Sequence, residues 1–552
     1  MTSGFTGHVA PSEWRWVIVV SALLLIIAFA PFLWAVVGIA DTPWRFMGVL
    51  HDYQDGAVYI SEAFQGAEGQ LLTRFLHTAE PHRGTFFNAI YALIGQASRL
   101  TALPPVLMFH IARAAASIFM YMALYQLAAA IWMRLRTRRI FFIIAALGSG
   151  FGWLLGVVSG NLRFLDLSMP EAFPFYSSLV NVHYPLGIAC LALASSVVIN
   201  AFKPGMHEMP TTQNGGGMLF LLSVTLAFVY PLALLMFAVA FLVYLIFYSA
   251  QQKHFGEREW RWLLWFVVPA LPLVVYYLAL LYYNPLISAL MRQENFSAAA
   301  NPLVFVLSFG LPLLIALPGI LRGVRRFEPY GDQFMLVWLG MALLLIYLPT
   351  GLQQRFVVGL MIPIAYFATR AIEDFWFSRL SRRWRYRVLV ALVPVMAATH
   401  LFVLALPVQS FAAFDSRSTS SLLLERDYVG VFDWLKDRVE PEDVVLAAPS
   451  TSLWVPSRTG AHVVYGHPTL TLNAAEKRRE VEAWYRMQET ETCDALLNGS
   501  GARYGSYRVS YVIVGPRENR LGKTECTDLL DLVDTFGSVA LYRYTPTTSV
   551  RP

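Results

Sequence analysis

Long apolar runs recur from residue 17 to residue 406 and then stop. A helix needs about 20 apolar residues to cross the hydrocarbon of a bilayer. Inside hydrocarbon a backbone satisfies its own polar groups only as a helix or a closed barrel. The chain therefore reads as a polytopic α-helical membrane protein over residues 1–406. Residues 407–552 have the composition of an ordinary soluble domain. Of 552 residues 57% are hydrophobic and 14% charged, against roughly 25% charged in soluble domains.

The net charge of +6 hides a split. Residues 407–552 hold 16 Lys+Arg against 19 Asp+Glu, so the excess of positive charge lies in the membrane part. There it clusters in short loops, around Arg134, Arg136, Arg138 and Arg139, around Arg322, Arg325 and Arg326, and around Arg379, Arg382, Arg383, Arg385 and Arg387. Lys253, Arg258 and Arg261 mark a fourth loop. Such clusters follow the positive-inside rule and carry no nucleic-acid signal. By contrast, residues 41–84 carry six acids against three arginines and are assigned outside.

About eleven spans follow. The first covers 17–40, longer than a signal-peptide core of about 7–15 residues, and is read as uncleaved. The others fall near 105–132, 140–158, 184–202, 217–229, 231–249, 262–282, 303–321, 334–349, 355–371 and 388–406, with Tyr230-Pro231 breaking a run too long for one helix. The apolar run 85–98 is too short to span and is read as an interfacial or re-entrant helix on the outer face. The N-terminus is then cytoplasmic and the C-terminal domain extracytoplasmic, in a plasma or inner membrane.

That domain mixes helix and strand signals. Helical spacing over 425–437 and 473–489 is interleaved with strand-like DVVLAA, HVVYG, SYVIVG and VALYRY, giving a small α/β or α+β fold. It has no GxGxxG, Walker or G-x-S-x-G pattern. Cys493 and Cys526 both lie in it, where an extracytoplasmic location permits a disulfide. Cys190 sits in an apolar run as a packing residue, and no CxxC or His/Cys pattern marks a metal site.

Candidate chemistry concentrates in the outer loops. Asp52 and Asp55, in HDYQDGAVYI with Tyr59 following, are three apart and share a face if helical. A carboxylate there suits a general base toward a hydroxyl, or a ligand for a divalent cation; the alternative is a helix N-terminal acid or a solvated face. Glu80, His82 and Arg83 precede the short helix, as titratable groups or plain interfacial anchors. The second outer loop, MPEAFPFYSSLVNVHYP, contributes Glu171 and His183, a lone histidine being more often structural. Arg355, beside Gln353 and Gln354, opens a late span; its guanidinium fork suits a phosphate oxygen or snorkels to headgroups.

Together these features resemble the GT-C superfamily of polytopic glycosyltransferases that use lipid-phosphate-linked sugars. The resemblance rests on the acidic first outer loop with Asp55 in DGAVY, on His110 and Arg113 of FHIAR opening the next span, and on Arg355. The acids here are separated by Tyr53 and Gln54, and the long sequon-reading motifs of oligosaccharyltransferases are missing. The resemblance implies transfer of a sugar, with inversion, from a polyprenyl-phosphate donor to a carbohydrate, lipid or protein acceptor at the outer face. Asp55 is implied as base with Asp52 as second acid. Arg355 and Arg83 are implied on the phosphate, with Tyr59, Glu80, His82, Glu171 and His183 lining the substrates. A transporter or flippase is the main rival, although no repeated halves and no mid-span charges support it. A non-catalytic membrane scaffold is another.

Overall fold

The computed structural model describes residues 8–545 except 161, 254–255, 296–298, 329–330, 350, 412–413, 488–492 and 500–506. Nine described helices are long and apolar enough to cross a membrane, and two shorter apolar ones, Gly215–Val229 and Gly331–Tyr347, accompany them. All eleven lie where the hydropathy places spans. The chain is a multi-pass integral membrane protein. It divides into two compact units.

The first unit comprises residues 1–30, 111–278 and 295–406. Its helices include most of α1 (Pro11–Ile39), α4 (Pro105–Ile131) and α5 (Leu135–Leu147). Only 22% of the apolar window of α1 is buried, against 94% for His183–Ala201, so the former presents its side chains to lipid and the latter is enclosed by protein. Polar ties lock the interior where hydrocarbon offers no water. Asp166 accepts from the Gly150 and Gly152 amides and the Thr399 hydroxyl at 2.8–3.1 Å. The Arg370 guanidinium donates both Nε and an Nη to Asp332. The helix Pro302–Arg326 kinks at Gly310, which has a φ of +39° and where a Cβ would lie 2.7 Å from the Gly150 Cα, leaving no room for one.

The second unit comprises residues 31–110, 279–294 and 407–552. Helices α2 (Tyr53–Ala67) and α3 (Ala89–Thr101) pack face to face. Their contact is set by two glycines: a Cβ on Gly66 would lie 2.2 Å from the Ala92 carbonyl oxygen, and one on Gly95 would lie 2.1 Å from that of Ala63. The run expected at the interface is thus the 13-residue amphipathic α3. Strands β1 (Trp44–Phe46) and β2 (Leu423–Glu425) pair antiparallel, stitching the first loop to the C-terminal region.

The strands β3 (Val444–Leu446), β4 (His462–Val463), β5 (Val509–Val514), β6 (Asp531–Phe536) and β7 (Val539–Arg543) form one sheet in the order β4-β3-β5-β7-β6. The first three are parallel and the last two antiparallel. This is the mixed α/β architecture expected, with two additions. The β1–β2 ribbon has a partner too distant in sequence to read. The edge strand β6 is largely exposed, so no alternation of burial is written into DLVDTF. Cys493 and Cys526 are disulfide-bonded, and Cys190 is free and buried.

Candidate active site

The first loop enters α2 through a left-handed residue, Asp52 (φ 50°, ψ 46°), at the N-cap. Its approach is fixed by His110, whose Nε2 lies 2.7 Å from the Gly48 carbonyl, and by Arg458, which donates to the Met47 carbonyl at 2.8 Å. Asp55 therefore sits in the first turn of α2, where the helix dipole favours a carboxylate. One of its oxygens lies 3.1 Å from Nε2 of His467.

His467 is 412 positions away in the chain. Its Nδ1 accepts from the Thr469 and Leu470 amides at 3.2 and 3.1 Å. Those two donors assign the imidazole proton to Nε2, from which it is donated to Asp55. The loop that carries it is itself pinned. Thr471 Oγ1 accepts from the Gly466 and His467 amides and donates to the His77 carbonyl at 2.6 Å. The His467 side chain is 2% exposed and that of Asp55 20%. The histidine is thus a fixed support, and the acid keeps one side open to solvent. His77 neighbours His467 edge-on, and burial, with the adjacent imidazoles, pushes its pKa down to about 3.

A polar cavity of about 300 Å³ is lined by residues flanking both partners. Tyr53 and Gln54 precede Asp55, and Gly466 and Pro468 bracket His467; Arg478, Glu482 and Arg517 supply charge. Its size is at the lower end for small-molecule pockets.

Tyr59 is buried and stacks on Tyr91, with ring centroids 4.2 Å apart. Glu80 is buried and bonded to Lys477 Nζ at 2.5 Å and to the Thr78 hydroxyl at 2.5 Å. His82 accepts from the Phe75 amide through Nε2 and so donates through Nδ1 to the Glu80 carbonyl, both at 2.9 Å. Arg83 is exposed.

In the first unit, Glu171, His183 and Arg355 come together. Glu171 is fully buried on the turn Pro170–Ala172. Arg355, on the turn Gln353–Val357, contacts Glu171 Oε1 and the Tyr184 hydroxyl, each at 3.4 Å. The His183 ring lies 4.0 Å from that of Tyr184 and edge-on to Tyr230. The Arg355 side chain is partly exposed, at 22%. Arg113, of the FHIAR motif, instead donates to the Leu179 carbonyl at 2.6 Å and covers the Phe29 ring. Among the described residues no three His, Cys, Asp or Glu side chains gather to hold a metal ion.

The sequence offered Asp55 by its place and gave no reason to weigh His467. The only cue was a histidine between Gly and Pro in an irregular stretch, GHPTLTLN.

No protein-family model and no curated protein sequence matches the chain. Solved structures do. ArnT from Cupriavidus metallidurans superposes with a TM-score of 0.55 at 11% identity, over 97% of this chain and all of that one. The oligosaccharyltransferase of Archaeoglobus fulgidus, tethered to an acceptor peptide, gives 0.52 at 11% identity, over 91% of this chain and 69% of that one. The mycobacterial arabinofuranosyltransferase AftD gives 0.52 at 13% identity, over 98% of this chain and 42% of that one. The chain shares the fold of these three membrane proteins. At such identities the likeness is one of fold alone, and the chemistry rests on this chain's own residues.

Proposed function

We propose that the protein is an inverting membrane glycosyltransferase, moving a sugar from a polyprenyl-phosphate donor to an acceptor hydroxyl at the outer face of the membrane. The observation that carries this reading is Asp55, a carboxylate at a helix N-terminus with a buried histidine donating to one oxygen. That bond fixes the orientation of a carboxylate that is one-fifth exposed, the placement a general base toward a substrate hydroxyl needs. Support comes from a fold shared with an arabinofuranosyltransferase and an oligosaccharyltransferase.

In the proposed reaction Asp55 takes the proton of the acceptor hydroxyl. The acceptor oxygen attacks the anomeric carbon from the face opposite the phosphate, and the bond from that carbon to the phosphate oxygen breaks. One displacement inverts the centre and releases polyprenyl phosphate. Arg355 is assigned to the phosphate, where a fixed guanidinium stabilises the charge of the leaving group. Glu171 and Tyr184 position it. Arg83 is a second basic group for the donor, and Asp52 a second acid. Tyr59, Glu80 and His82 shape the loop, and His183 lines the acceptor side. The N-terminus is cytoplasmic and the C-terminal domain extracytoplasmic in this reading.

The test is sugar transfer by the purified full chain with a panel of polyprenyl-phosphate sugars. Asp55→Asn is expected to lower turnover at least about 100-fold, the scale of a lost general base, with unchanged yield and melting temperature. Undiminished transfer by Asp55→Asn removes the assignment.

A further inference from the structure

The first unit holds a second cavity, of about 920 Å³. It has two chemically distinct parts. Ile140, Ile143 and Ile144 of α5 and Leu389, Val393 and Met396 of the helix Arg382–Met396 give it an apolar interior. Four arginines, Arg136, Arg139, Arg382 and Arg385, stand on its lining at the ends where both helices begin.

The charges are unevenly used. Arg136 is spent on a bidentate pair with Glu373, and Arg385 donates Nε to the Leu380 carbonyl. Arg139 lies over the Trp16 ring with its Nε buried and without a hydrogen-bond partner among the described residues. Arg382 is exposed and makes no ion pair among them. Among the described residues Glu373 is the one carboxylate that pairs with any of the four guanidinium groups. Trp384 and Tyr386, 56% and 74% exposed, flank the arginines as aromatic side chains do at a headgroup boundary.

We propose that this groove is a binding site for an anionic glycerophospholipid of the surrounding bilayer. Its acyl chain lies between α5 and the helix Arg382–Met396, and its headgroup phosphate is held by Arg139 and Arg382. An apolar ligand alone leaves the guanidinium groups unmatched. A soluble anion leaves the apolar interior unfilled. Only an amphiphile with a negative head meets both, since a charge-assisted bond to phosphate is the strong one available to a guanidinium. The lining includes none of Asp55, Glu171 and Arg355, and the proposal stands whatever reaction those residues serve.

The experiment is native mass spectrometry of the full chain released from detergent, titrated with phosphatidylglycerol or phosphatidylcholine. The wild type is expected to retain phosphatidylglycerol at least 10-fold more strongly. Arg382→Gln, at an exposed position with no ion pair among the described residues, should lower that preference several-fold, and Arg139→Gln with Arg382→Gln should abolish it. Val393→Trp, which fills the apolar interior, should weaken retention of both lipids while the melting temperature without lipid stays within a few degrees. Equal retention of the two lipids by wild type, or an unchanged preference in the double arginine variant, overturns the proposal. So does stronger retention of polyprenyl phosphate that Val393→Trp removes, because the groove would then belong to the carrier lipid.

Discussion

Glu80 and Lys477 form a buried ion pair whose removal has a calculable cost. Their side chains are 2% and 8% exposed, 2.5 Å apart, and the Lys477 ammonium also faces the Tyr507 ring at 5.2 Å. Glu80→Gln keeps the shape and an acceptor for the Thr78 hydroxyl, but leaves a buried ammonium without its counter-charge. Breaking one side of a buried pair typically costs about 3–5 kcal/mol. An independent ceiling comes from the lysine itself. The variant need never cost more than shedding the proton, which at pH 7 for an ordinary lysine is roughly 4.6 kcal/mol. The two figures agree. For a unit of this size they translate into a melting temperature lowered by roughly 6–20 °C.

The sign of the pH dependence follows from Lys477, whose pKa burial already holds below the ordinary lysine value. A base with a depressed folded pKa binds fewer protons folded than unfolded, so stability rises with pH through the window between the two values. Glu80→Gln depresses it further. Its penalty relative to wild type should therefore shrink at alkaline pH, to about 1 kcal/mol at pH 9.5 by the same ceiling. The assay is thermal unfolding of the detergent-solubilised full chain by tryptophan fluorescence at pH 7 and 9.5, at one scan rate because unfolding of such proteins is often irreversible. Glu80→Leu with Lys477→Met, which removes both charges, should recover most of the loss. A penalty independent of pH, or a double variant as unstable as the single one, refutes the reasoning.

Two further outcomes are expected. His467→Ala should reduce sugar transfer by roughly 10- to 100-fold, the worth of a hydrogen bond to a charged group. The KM for the lipid donor should be unchanged, and His467→Gln, which still presents an N–H, should restore part of the rate; equal loss in both variants with a lowered melting temperature would make His467 merely structural. Reducing the Cys493–Cys526 bridge, which closes a 33-residue separation, should destabilise the C-terminal domain by about 3–4 kcal/mol in the chain-entropy account; an unchanged melting temperature in dithiothreitol counts against it.

Much of the membrane part was legible because hydropathy is a local property. A span is apolar along its own length whatever it packs against, so eleven apolar helices lie where the sequence puts them. A 14-residue run is too short to cross, and α3 is accordingly a short amphipathic helix packed on α2. The interleaved strands β3, β4, β5 and β7 were readable from β-rich runs. Strand β6 was not, since an exposed edge strand need not alternate.

The candidate site divides along the same line. Asp55 could be chosen from the sequence because acids beside a membrane span are costly and therefore informative. What Asp55 touches could not be chosen. Its histidine is brought from 412 positions away by loop contacts that leave no periodic trace. Glu171 and Arg355, 184 positions apart, likewise meet only through packing. Glu80 and His82, candidates in sequence, bond to Lys477 and to the Phe75 amide, partners the sequence does not name. The sequence by itself determined the spans and the charged loops, because each follows from the cost of placing a group in or near hydrocarbon. Only the tertiary structure decided which polar groups are partners, because a hydrogen bond depends on distances of 3 Å between residues whose separation along the chain is unconstrained.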